Sequence, residues 1–295
     1  MLNRRVTTPL KSEEPGEENA ILDIATEKQV FLLLGEHRIA ARCLCYDDTC
    51  RIEEYYDGRT LTPADLKDSS ILKGIATELF RIHQLQPEGL PDRTFFELLH
   101  DRWGPLARTF LEDHYHQFPP DEQVMCDDLQ AILTQETAAK VGKCLPSSPL
   151  VFCHNDTYHG NVMMLSDGSI KLLYFEFFCL NHPAFDFANL FAETVMEHGQ
   201  SDPPYFSIAE PRYTREDIAV LVGHYLDCGV LAGESRQAEL DRLVSETEDL
   251  IMLSDYMYAM ATIPLALQPM QKVRFIPYAH ARWNRFLASC EERFR

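Results

Sequence analysis

Residues 151–165, VFCHNDTYHGNVMML, set an aspartate and an asparagine five residues apart in a polar loop between two apolar runs. An aspartate at the end of a strand can take a proton from an attacking hydroxyl, which makes Asp156 a candidate general base. After one loop turn, Asn161 can return to the same side and offer a neutral amide oxygen to a hard cation such as Mg²⁺. Loops can be polar through solvation alone, but they are also where a rigid scaffold displays its catalytic groups. His154 reads as a residue that braces this loop, and His159 as a solvated one. With Asp156 they could imitate a metal site, but no further ligand cluster accompanies them.

Strands must hold such a loop. SSPLVFCHN is a short apolar strand feeding it, and NVMML and IKLLYFEF are two more strand candidates joined by the hairpin turn SDGS. Upstream, AARCLCYD and CRIEEYYDG read as two strands around the turn DDT, after a polar loop PLKSEEPGEEN. Between that loop and the strands, apolar spacing predicts a helix over Ile21–Gly35. TPADLKD offers a helix start, with Thr62 as N-cap and Pro63 at the first position. Helical periodicity resumes in ILKGIATELFRIHQL, with Ile71, Ile75, Leu79 and Ile82 on one face. Residues 94–141 carry more helical pattern, broken by FPPDEQ, and the chain is largely helical beyond residue 185. The expected class is α+β, a small partly β N-terminal part before a larger, mainly helical one.

The net charge of −19 argues against nucleic acid as a partner, because phosphate binding needs clustered lysine and arginine. Nine cysteines, an odd number without a spacing framework, read as free thiols in a reducing compartment. No apolar run approaches the ~18 residues of a membrane span, and the N-terminus lacks the apolar stretch of a signal peptide. A cytoplasmic protein is expected.

The order of these pieces resembles a known family. HNDTYHGN fits the H-x-D-x4-N loop of aminoglycoside phosphotransferases and choline/ethanolamine kinases. IKLLYFEFFCLNHPAFDFANLFAE is similar to the stretch that follows it in choline and ethanolamine kinases, which reads D-[FY]-E-Y and then [FY]-D-I-G-N-x-F-x-E. RIEEYYDGRTLTPADL resembles the family's inter-lobe hinge, and RFIPYAHARWNRFL its C-terminal helix. The resemblance implies a protein-kinase-like two-lobe fold. Residues 1–58 would form a truncated N-terminal sheet lobe lacking a Gly-rich loop, with the hinge, and 59–295 the large, mainly helical catalytic lobe.

It also implies roles, with ATP and Mg²⁺ as cofactors and ethanolamine or choline as acceptor in phospholipid head-group synthesis. Asp156 would be the catalytic base, and Asn161 and Glu176 the metal ligands. Glu54 and Tyr55 of the hinge, with Arg4 and Glu27, would serve the nucleotide. Asp186 and Asn189 would brace the catalytic loop. Glu193 would face the acceptor's cationic nitrogen, with Phe177 and Tyr258 as walls. Tyr256, Tyr258, Tyr278 and Trp283 read as core aromatics. Two departures bear on activity: Tyr174 stands where the family has its metal-binding aspartate, and no phosphate-covering loop precedes the first strand. The aromatic cage that would hold choline keeps only Phe177 and Tyr258, which favours ethanolamine. The second expectation is therefore a catalytically impaired or regulatory binding subunit of the same fold. The oligomeric state is open, a dimer included.

Overall fold

The computed structural model describes residues 4–7, 24–46, 51–268 and 273–294. The PLKSEEPGEEN loop and the DDT turn lie outside them. At the N-terminal end, β1 (Arg4–Thr7), β2 (Cys43–Tyr46) and β3 (Arg51–Glu54) form an antiparallel sheet in the order β1-β3-β2. The helix α1 (Ile24–Glu36) covers it, burying Val30, Phe31 and Leu34 at the expected helical spacing.

CRIEEYYDG is not one strand. Pairing on β3 stops at Glu54, residues 55–57 cross over, and β4 (Gly58–Thr60) joins a different sheet. Gly58 permits the crossing: a Cβ there would lie 2.4 Å from the Met164 carbonyl oxygen. The helix expected from Thr62 is also split. Thr62 caps only a 3₁₀ turn, Pro63–Lys67, and Asp68 caps a new helix, α2 (Ser69–His83), by accepting from Ser70 N at 2.8 Å. Ile71, Ile75, Leu79 and Ile82 on α2 are all buried, as their spacing predicts.

The region 94–144 is helical: α3 (Phe95–Leu98) runs through a π-helical turn at Leu99–Trp103 into α4 (Gly104–His114), followed by α5 (Pro120–Leu129) and α6 (Gln135–Cys144). Next come β5 (Val151–Cys153), β6 (Val162–Leu165) and β7 (Ile170–Leu172), with β6 between β4 and β7. Tyr174 takes a left-handed backbone, φ 60°, which ends the hairpin and lets the chain return as β8 (Cys179–Asn181) against β5. The catalytic-loop candidates thus sit between two small sheets that share the chain on either side of the loop.

Helix α7 (Pro183–Ala192) follows, and all ten of its residues are buried. A helix buried all round can carry a polar residue only where a partner meets it. The hairpin of β9 (Met196–His198) and β10 (Phe206–Ile208) leads to α8 (Arg215–Asp227), α9 (Gly233–Thr262) and α10 (Phe275–Arg293). These last helices pack on one another and on α7 in one continuous apolar core. Among the described residues no helix is long and apolar enough to cross a membrane.

Candidate active site

The loop itself supplies partners for one polar residue of α7, Asp186. Asp186 is fully buried, and its carboxylate accepts the backbone N–H groups of His154 at 2.9 Å and Asn155 at 2.7 Å. His83 of α2 places Nε2 3.0 Å from the same carboxylate. A carboxylate only accepts, so Nε2 carries the proton. Tyr225 of α8 completes the chain, its hydroxyl 3.0 Å from His83 Nδ1. One buried acid thereby fixes the end of β5. Thr157 adds its hydroxyl to the Asp186 carbonyl oxygen at 2.5 Å.

Asn155 holds φ at 64°, a conformation that asparagine tolerates better than most residues. Its amide reaches across to the carbonyl of Phe177 at 2.9 Å and accepts from Asn181 Nδ2 at 2.7 Å. His154 ties the loop to the hairpin end. Its Nε2 lies 2.9 Å from the Leu173 carbonyl oxygen, and its Nδ1 accepts the Asp156 N–H at 3.2 Å. The two contacts define a neutral imidazole, in keeping with burial pushing its pKa down. His154 therefore braces, as expected. His159 is half-buried rather than solvated, and burial pushes its pKa down to about 4.

These braces aim two side chains at each other. Asn161 donates from Nδ2 to Asp156 Oδ2 at 2.6 Å and to the Asp156 carbonyl at 2.9 Å. Both partners are acceptors, so the amide oxygen of Asn161 must point the other way. The other carboxylate oxygen, Asp156 Oδ1, accepts the hydroxyl of Tyr258 from α9. Burial pushes the Asp156 carboxyl up to about 8; the Tyr258 and Asn161 donors pull it down, and the charges of Glu193 and Glu176 push it up. That places the acid where a general base at near-neutral pH needs it.

Behind Tyr258 lies a buried ionic cluster. Arg282 of α10 is fully buried and donates from Nη2 to both oxygens of Glu193, at 2.6 and 2.7 Å. Its Nη1 reaches Asp255 at 2.8 Å, and Nη2 also reaches the Tyr278 hydroxyl at 2.7 Å. The guanidinium carbon sits 4.9 Å from the Tyr258 ring centroid and 5.1 Å from that of Tyr278. Burial works against the charge on Arg282, and the neighbouring Glu193, Tyr278 and Asp255 outweigh it. Glu193 thus faces an arginine of its own chain.

Between the N-terminal sheet and the β6–β7 hairpin is a cleft of about 410 Å³. Glu27, Glu54, Tyr55, Tyr174 and Glu176 line it with the apolar side chains of Phe31, Met163 and Leu172. Asp156 and Asn161 are not among its walls, so the cleft residues Glu27, Glu54 and Tyr55 are set apart from the Asp156–Asn161 pair. Glu176 links them, its charge acting on Asp156. Arg4 stands on β1 opposite Glu54. Four glutamates line the cleft, Glu53 with the three named, and no lysine or arginine does so among the described residues. Phe177 packs instead on Trp103 and Phe95, at ring separations of 5.2 and 6.3 Å, and Asn189 bonds Ser254 rather than the loop. Tyr256, Tyr278 and Trp283 are buried as expected and Tyr258 is half-buried; the hydroxyls of Tyr258 and Tyr278 also meet the polar partners Asp156 and Arg282.

Sequence reasoning missed His83, Asp255 and Arg282. The signal for Arg282 was present: Tyr278, Arg282 and Phe286 recur at four-residue spacing on the buried face of a helix, and an arginine there demands carboxylates.

Comparison with known proteins places this geometry. The choline/ethanolamine kinase family model matches residues 15–287. A human choline/ethanolamine kinase is 25% identical over 94% of this chain and 73% of its own. Among solved structures, a choline kinase from Cryptosporidium parvum superposes with a TM-score of 0.75 at 19% identity, over 98% of this chain and 89% of that one. A Plasmodium vivax ethanolamine kinase gives 0.69 at 20% identity, over 89% and 72%. The kinase-like α+β fold and a family match spanning both the loop and the buried helix that braces it establish that the chain belongs to the choline/ethanolamine kinase family.

Proposed function

We propose that this chain is an ATP-dependent phosphotransferase whose acceptor is the hydroxyl of a small amino alcohol, ethanolamine in preference to choline. The observation that carries the reading is the Asp156–Asn161 pair, an acid tuned to about 8 held 2.6 Å from an amide whose oxygen faces away. In this reading residues 1–58 and 59–295 are the two lobes, and the cleft between them takes the nucleotide against Glu54, Tyr55, Glu27 and Arg4. Asp156 accepts the proton of the acceptor hydroxyl as that oxygen attacks the γ-phosphorus and ADP leaves. The Asn161 amide oxygen and the Glu176 carboxylate are both hard oxygen donors, and they fit Mg²⁺. When bound, the ion supplies charge neutralisation at the phosphates.

Acceptor preference follows from donors and ring faces. Arg282 and Ser254 occupy three of the roughly four lone-pair directions of Glu193, so one remains on Oε2 for an N–H donor. Ethanolamine's ammonium can use it. Choline has no N–H and depends on open aromatic faces worth roughly 0.5–2 kcal/mol each. Tyr258 already faces Arg282, and Phe177 is packed on Trp103.

A second reading has an observation of its own. Tyr174 is exposed at the hairpin end where the resemblance implies an aspartate, and four glutamates line the cleft. A chain of this kind would bind nucleotide weakly and act as a regulatory partner. ADP formation with Mg²⁺, ATP and ethanolamine, lost in Asp156→Asn, supports the first reading; its absence under all acceptors supports the second.

A further inference from the structure

We infer that the Tyr258 hydroxyl is the chain's own occupant of the acceptor position on Asp156, and that an acceptor is selected by its ability to displace it. The inference rests on the proposed role of Asp156 as base. A base must receive the acceptor's proton on a carboxylate oxygen. Here Oδ2 receives Asn161 and Oδ1 receives the Tyr258 hydroxyl, and Asp156 is only 9% exposed. The group bonded to Oδ1 is itself a hydroxyl, the chemical class of the acceptor.

Two contacts of Tyr258 hold it in place. The Tyr258 ring lies under the Arg282 guanidinium at 4.9 Å. Arg282 is in turn fixed by Glu193, Asp255 and Tyr278, and the Tyr258 carbonyl accepts from Thr262 Oγ1 at 2.7 Å on the same helix. A hydroxyl on the base and a cation against a carboxylate are also what a bound amino alcohol would present. Burial and the adjacent acids keep the phenol protonated far above its ordinary range, so it remains a donor under any assay condition. Tyr258 is then a specificity-determining residue: an acceptor must exchange its own O–H···O⁻ bond for the phenol's.

The experiment compares purified wild type, Tyr258→Phe and Tyr258→Met with ATP, Mg²⁺ and ethanolamine. Phe keeps the ring under Arg282 and removes only the hydroxyl, and Met removes ring and hydroxyl together. A hydrogen bond to a charged group corresponds to about tenfold or more in affinity, so KM for ethanolamine should fall about tenfold in both variants. The turnover number is read separately from KM, because the Tyr258 hydroxyl also pulls the Asp156 carboxyl down and its loss acts on the base as well as on acceptor binding. Calorimetric titration with ethanolamine should show the same tightening without catalysis. If both variants leave KM unchanged or raise it while turnover continues, this inference is overturned and the phosphotransferase reading stands. If neither wild type nor variants bind or turn over ethanolamine, both are overturned.

Discussion

Asp156 should make this protein less stable as pH rises, and replacing it should remove that dependence. Burial raises its carboxyl from an ordinary 3.8 to about 8. Between those values the folded chain holds a proton that the unfolded chain has lost, so stability is full below the unfolded pKa and falls as pH climbs through the folded one. One unit is worth about 1.4 kcal/mol, which puts the whole excursion at roughly 6 kcal/mol as an upper bound. Domains of this kind are stable by only about 5–15 kcal/mol, so relaxation and water entry must absorb part of it. Between about pH 6 and 8 the wild type should lose about 2 kcal/mol relative to Asp156→Asn, which has no proton to release there and still accepts from Tyr258. Urea unfolding of both proteins at the two pH values measures this, the difference between them shifting by about 2 kcal/mol in the variant's favour at the higher pH. Parallel curves would show that the carboxyl titrates normally and that the loop does not tune it.

Three other expectations follow from the same contacts. Arg282→Met leaves Glu193 and Asp255 buried without their shared cation, and should cost about 3–5 kcal/mol in urea unfolding. His83→Phe removes the side-chain donor to Asp186 while filling the space; about 1–3 kcal/mol of stability should be lost, and the Asn155 amide should exchange faster with solvent. Tyr174→Asp restores an acid at the hairpin end and should tighten Mg²⁺–ATP binding about tenfold, equivalent to about 1.4 kcal/mol; a titration without gain would place the defect elsewhere in the cleft.

Long, strongly patterned elements were legible in the sequence. The buried face of α2, the helix α1 and the hairpin of β6 and β7 all follow from spacing and turn chemistry. What was not legible was decided by tertiary contact. β8, β9 and β10 are three residues each, too short to show a period, and exist because a neighbour pairs with them. The break after Glu54 depends on Gly58 meeting the Met164 carbonyl, which no local pattern announces. In the site, the loop spacing pointed to Asp156 and Asn161 as neighbours, and the family resemblance pointed to Asp186 as the brace. Glu193 could be found just past the end of α7, but its partner lies 89 residues away on α10, so the charge it meets was visible only in three dimensions.

Transfer of phosphate from ATP to ethanolamine, measured as phosphoethanolamine formed by wild type and by Asp156→Asn side by side, tests the central claim most directly. Product that accumulates with wild type and drops by about a hundredfold or more in the variant is the expected result, since a positioned base contributes about 10²–10⁴-fold. Equal rates in the two proteins, or no product from wild type with ethanolamine or choline, would contradict it.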